Sequence, residues 1–90
     1  MSELGTERLD LLRRFPLGRR PNKVGLAIEL ARTSQAETSR ATGLVAPYIS
    51  DVVRGRYRNP KLENLQKFAA FFGCQIEDLF PARDREAVAS

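Results

Sequence analysis

The 90-residue chain has no histidine and a single cysteine, Cys74. Without a second thiol, Cys74 cannot close an internal disulfide. Without imidazole it cannot anchor a zinc site. It lies among apolar residues in "FFGCQIEDLF" and is expected to be a small buried side chain rather than a reactive one. There is no Cys–His or Ser–His pair, no glycine-rich phosphate loop and no cluster of metal-ligand spacing, so catalytic residues, a metal site and a cofactor site are all expected to be absent. No apolar run approaches the ~20 residues of a membrane span. The N-terminal "MSELGTERLDLLRR" lacks the apolar block of a secretory signal. These absences point to a small, non-enzymatic protein of the cytoplasm.

What is abundant is arginine, and it is unevenly placed. Residues 13–61 hold eleven Lys/Arg against three Asp/Glu, whereas the remainder holds four against eight. A basic centre between acidic ends suits a polyanion on one face. Five cations fall in the eleven residues from Arg13 to Lys23, within or beside the helix-breaking "PLGRRPN". Arg19, Arg20 and Lys23 are the candidates for an arm that follows a phosphate backbone or enters a minor groove, and a solvated linker is the alternative.

The apolar pattern is helical throughout. Thr6 to Phe15 reads as a short amphipathic helix capped by Thr6, with Leu9, Leu12, Leu11 and Phe15 toward one side. It has the core or a second subunit to dock on. A second helix is expected from Asn22, with Val24, Ala27, Ile28 and Ala31 as its stripe. Ser34 and Glu37 form a capping-box pattern that starts a third helix at Gln35, which Gly43 stops after about two turns. The next helix should run from Val45 or Ala46 to Arg54 and end at Gly55. Pro47 is tolerated in its first turn because the N–H groups there have no intrahelical partner. Ile49, Val52 and Val53 would face inward; Tyr48, Ser50, Asp51 and Arg54 outward. After the loop "GRYRNP", a further helix carries Leu62, Leu65, Ala69 and Phe72 with Phe68 beside them. A last short one in "QIEDLF" would close the core. The expected organisation is an N-terminal helix or arm over 1–21, a domain over 22–80 and a tail over 81–90.

The run from Ser34 to Phe80 resembles the Cro/C1-type (XRE-family) helix-turn-helix domain. The matching residues are Ser34-Gln35 opening a helix, Gly43 in the turn, Ile49-Ser50, Arg54-Gly55, Asn59-Pro60, the Leu62/Leu65/Phe68 helix and the closing "IEDLF". The likeness covers about residues 23–80. It implies an all-α, compact five-helix lambda-repressor-like fold, here with an additional short N-terminal helix or arm. It also implies a homodimeric regulator of repressor type that binds double-stranded DNA, with the helix at about 45–54 in the major groove. Carried over by position, Val45, Ala46, Pro47, Tyr48, Ser50 and Asp51 would reach bases or the groove. Ser34, Gln35, Arg54, Arg56, Tyr57, Arg58 and Asn59 would contact phosphate.

The sequence departs from the family pattern at "VAP", which offers no side-chain hydrogen bond where polar readers are usual. Apolar groups can still read thymine methyls, and Tyr48 can donate. Asp51 either accepts from cytosine N4, or is a solvated carboxylate, or is a local partner for Arg54 or Arg40. Thr38 stands where an aliphatic residue is usual and is expected to bond its own helix. The same departures leave open a second role, a protein-interaction module of antitoxin or phage-adaptor kind whose partner is another protein.

Overall fold

The computed structural model describes residues 3–57 and 60–81. They form six helices: α1 Gly5–Arg14, α2 Val24–Leu30, α3 Gln35–Thr42, α4 Ala46–Arg54, α5 Leu62–Phe72 and α6 Ile76–Leu79. No strand occurs among the described residues. This is the expected all-α domain of five helices, with α1 as the N-terminal addition.

Helix α1 joins the core. Leu4 and Leu12 are buried together with residues of α2, α4, α5 and α6, and Leu9 packs against them. The Leu4 N–H donates to the Phe72 carbonyl at 2.9 Å, tying the chain start to the end of α5. The helix starts one residue before Thr6, with no side-chain cap, so the expected Thr6 cap does not form. Leu11 and Phe15, placed on the apolar side by the sequence, are 44% and 42% exposed. Adjacent helical residues lie about 100° apart, so a helix that buries Leu12 turns Leu11 away.

Two charged side chains tie α1 to the rest of the domain. The Arg13 guanidinium bonds both Asp78 carboxylate oxygens, at 2.9 and 3.2 Å. The Lys23 ammonium donates to the Leu12 carbonyl at 2.8 Å, serving one of the last-turn acceptors that α1 leaves free. The Lys23 backbone N–H donates to Leu79 O at 2.8 Å. Asp78 also accepts from the Gln75 N–H at 2.9 Å, the return half of a capping box at α6.

Helix α2 begins two residues later than the Asn22 start expected. Asn22 is buried, its Oδ1 accepting from the Val24 N–H at 3.0 Å and its Nδ2 donating to the Val52 carbonyl of α4 at 2.7 Å. The stripe Val24, Ala27, Ile28 and Ala31 is buried as its spacing predicts. Ser34 caps α3 by accepting from the Glu37 N–H at 3.1 Å, but the Glu37 carboxylate turns to Arg40 at 2.8 Å instead of completing the box. Thr38 is fully buried and donates to Ser34 O at 2.8 Å, as expected of a hydroxyl bonded within its own helix.

Gly43, at φ 78°, ends α3 and turns the chain into α4. Gly55, at φ 81°, ends α4. In α5, Leu65, Phe68, Ala69 and Phe72 are buried, whereas Leu62 is 55% exposed. Leu62 is the first residue of α5, and its neighbours leave more than half of it uncovered. Leu79 and Phe80 close the core.

Candidate nucleic-acid interface

Helices α3 and α4 pack against each other across the Gly43 turn. One face of α4 is committed to the core, since Ile49 and Val52 are fully buried. Val53, also expected inward, is half-buried. Its Cγ1 lies 3.2 Å from where a side chain on Gly25 would begin, so the bare backbone of α2 is what lets the two helices approach. The opposite face of α4 is open. Val45 is 66% exposed, and Ala46, Pro47 and Arg54 are exposed too; Ser50 is half-buried. Pro47 sits in the first helical turn, where its missing N–H breaks no ladder bond.

Tyr48 departs from its expected outward placement. It is half-buried, with its ring centroid 5.0 Å from that of Tyr57 and the planes inclined by 41°. Its hydroxyl accepts from Asn64 Nδ2 of α5 at 3.1 Å. Asp51 pairs with neither Arg54 nor Arg40. Its carboxylate lies 3.5 Å from Arg56, whose backbone N–H also donates to the Asp51 carbonyl at 2.9 Å. The chain turns back after Gly55, and this turn brings Arg56 to the carboxylate. Arg40 is taken by Glu37.

Among the phosphate candidates, Ser34 is exposed and Gln35 half-buried at the start of α3, where helix N–H groups point outward. Arg54, Arg56 and Tyr57 are exposed. Arg58 and Asn59 lie outside the described residues, as do 82–90 of the expected tail.

The arm candidates divide. Arg20 lines a cleft of about 360 Å3 together with Pro21, Asn22, Gly25, Val53 and Gln35, which brings this cation to the start of α3. Arg19 and Arg20 are exposed, and like Arg54 they have no ion-pair partner among the described residues. Lys23 is a correction. It is 6% exposed and bonded to Leu12 O, so its ammonium belongs to the joint between α1 and α2. Burial lowers its pKa, with Asp78 opposing that shift. Arg13 and Arg14, of the same basic run, are paired with Asp78 and Asp10.

Two asparagines escaped sequence reasoning. Asn22 holds the C-terminal half of α4 through Val52, and Asn64 holds Tyr48. Asn22 carried a helix-start signal that showed only one of its bonds; Asn64 carried no signal. Burial, aided by the nearby Asp78 charge, pushes the Cys74 thiol up to about 12, in keeping with an inert side chain. Among the described residues no group of acidic, cysteine or histidine side chains is placed to hold a metal ion, and no helix is long and apolar enough to cross a membrane.

An all-helical domain with a tight two-helix unit, one member presenting an open face beside arginines without an ion-pair partner among the described residues, has the form of a helix-turn-helix domain. The family model described as helix-turn-helix (HTH_3) matches residues 26–79, more than half of the chain. The chain belongs to this Cro/C1-type (XRE) family of DNA-binding regulators. No curated protein and no solved structure matches it.

Proposed function

We propose that this protein is a sequence-specific regulator of repressor type, a binding protein rather than an enzyme, which docks on double-stranded DNA with α4 in the major groove. The observation that carries the reading is the division of α4. Ile49 and Val52 anchor it in the core, while Val45, Ala46, Pro47 and Arg54 are exposed and Tyr48, Ser50 and Asp51 half-buried. Val45, Ala46 and Pro47 suit thymine methyls, and Tyr48, Ser50 and Asp51 supply the polar contacts to the groove. Ser34, Gln35, Arg54, Arg56 and Tyr57 grip phosphate, joined by Arg19 and Arg20 from the arm and, by sequence position, Arg58 and Asn59. The protein acts in the cytoplasm as a homodimer on a palindrome whose half-sites lie about one helical turn, ~34 Å, apart.

Selection from random duplexes, followed by a salt titration, tests this. Enrichment of a palindrome, with log affinity falling linearly in log salt, is the expected result. Salt-sensitive binding with no enriched sequence would sink it. That outcome would favour the second reading, a protein-interaction module, which the apolar tip and the Asp51–Arg56 pair support by withholding polar readers and a cation from DNA.

A further inference from the structure

We propose that Asn64 is a positioning residue for DNA recognition, one that holds the Tyr48 oxygen and leaves its O–H to donate toward the DNA. This rests on the reading of α4 as the DNA-binding helix. The geometry is a bond between elements: Asn64 Nδ2 on α5 donates to the Tyr48 hydroxyl oxygen on α4 at 3.1 Å. An amide nitrogen has hydrogens to give and no lone pair to offer. It therefore occupies an acceptor site on the phenol oxygen and leaves the phenol proton unspent. Among the described residues the Tyr48 hydroxyl donates to no acceptor. The ring itself is half-buried, packed against the core on one side and against Tyr57 at 5.0 Å. The phenol is thus held at its ring and at its oxygen, with one O–H left to point elsewhere.

That O–H has defined partners in a duplex. Guanine O6 and N7, adenine N7 and thymine O4 accept in the major groove, as do phosphate oxygens; cytosine N4 does not. A hydroxyl that already accepts one hydrogen bond is polarised into a better donor. Asn64 thereby acts on DNA through Tyr48, while Tyr48 makes the contact. It also compensates for the "VAP" tip, because a single oriented donor supplies polarity that the apolar residues lack.

The test uses the reversed bond. Asn64→Asp keeps the side-chain size but can only accept, so the phenol O–H donates to the carboxylate and is withdrawn from DNA. Tyr48→Phe removes that proton outright. Affinity for the duplex enriched by selection is measured by fluorescence anisotropy for the intact chain, the two single variants and the double variant. Salt is held fixed, and the temperature is well below each variant's melting point by circular dichroism. Each single variant should weaken binding about ten- to hundredfold, the worth of one hydrogen bond to a charged or strongly accepting group. In the Tyr48→Phe background Asn64→Asp should add less than about threefold, since the two changes remove the same interaction. Asn64→Leu, which frees the phenol without adding charge, should fall between the intact chain and Asn64→Asp.

An undiminished Asn64→Asp loss in the Tyr48→Phe background would overturn the proposal, because the effect would then be simple charge repulsion. Unchanged affinity in Asn64→Asp and Asn64→Leu would overturn it as well. An intact chain that binds no duplex selectively would instead refute the DNA-binding reading on which the proposal stands, before any variant is compared.

Discussion

Gly43 and Gly55 end α3 and α4 in almost the same left-handed conformation, φ 78° and 81°, yet alanine should harm them very differently. At Gly43 nothing lies within 4 Å of an added Cβ. The loss is conformational alone, about 1–2 kcal/mol for an L-residue held left-handed. At Gly55 the same strain applies, and the new methyl would also overlap the Pro21 ring, whose Cγ is 2.7 Å from it. Neither side yields easily, because Asn22, next to Pro21, is bonded to Val52 of α4. Overpacking of this kind adds about 1–3 kcal/mol. Gly55→Ala should therefore lose about 2–5 kcal/mol. That is a large share of the roughly 5–13 kcal/mol that stabilises a domain of this length. Urea denaturation followed by far-UV circular dichroism measures both variants against the parent. In a Pro21→Gly background, which removes both the Cβ and the Cγ that the methyl would meet, the Gly55→Ala loss should shrink to the Gly43→Ala value. Equal losses for the two glycine variants, or no relief on removing the Pro21 ring, would refute the packing of the arm against the end of α4.

Three further expectations concern charge. Arg56→Ala should weaken DNA binding and flatten the log–log salt slope by about 0.9, whereas Asp51→Asn, which releases Arg56 from its 3.5 Å pair, should raise affinity about two- to fivefold in a salt titration. Lys23→Met should leave that slope unchanged, because the ammonium is bonded to Leu12 O, while thermal denaturation registers a loss of about 1–3 kcal/mol for an orphaned carbonyl; a slope flatter by about 0.9 would return Lys23 to the arm. At Asp78 burial raises the carboxyl pKa, but bonds from Arg13 and the Gln75 N–H, with the charges of Arg13 and Lys23, outweigh it and hold the group below its ordinary value. Its stabilising contribution is complete above the unfolded-state value, about pH 4, and is lost as pH falls through the lower folded value, so melting curves should show Asp78→Asn less stable at neutral pH and less sensitive to acid than the parent.

Local chemistry was legible in the sequence. The Ser34 cap, the Gly43 stop and Pro47 in the first turn of α4 each depend on residues within a turn or two and followed from residue type and spacing, whereas the buried Thr38 followed from its departure from the family pattern. The periodic stripes gave the inner faces of α2, α4 and most of α5. What escaped are contacts between distant segments. The Lys23 bond to Leu12 crosses from α2 to α1, Asn22 reaches Val52, Asn64 reaches Tyr48, and Arg13 reaches Asp78 across nearly the whole chain. Each uses a polar side chain whose local surroundings suggest solvent. Lys23 is instructive because a basic run makes every member look equally available, and only the fold sorts them. The open face of α4 was foreseen from Ile49 and Val52, but the arrangement of Tyr48 and Asp51 on it was not, because their partners arrive from the following loop and from α5.

The Tyr48–Tyr57 pair has an optical consequence. The chain contains no tryptophan and two tyrosines, and those two rings face each other 5.0 Å apart on the candidate DNA surface. All phenol emission therefore arises from one small patch, unmasked by indole, while the remainder of the domain contributes only weakly emitting phenylalanine. A nucleic-acid partner that covers the patch changes the solvent, hydrogen bonding and mutual coupling of both emitters at once. The unlabelled protein carries its own reporter of occupancy, and Tyr57→Phe leaves a single emitter whose signal belongs to α4.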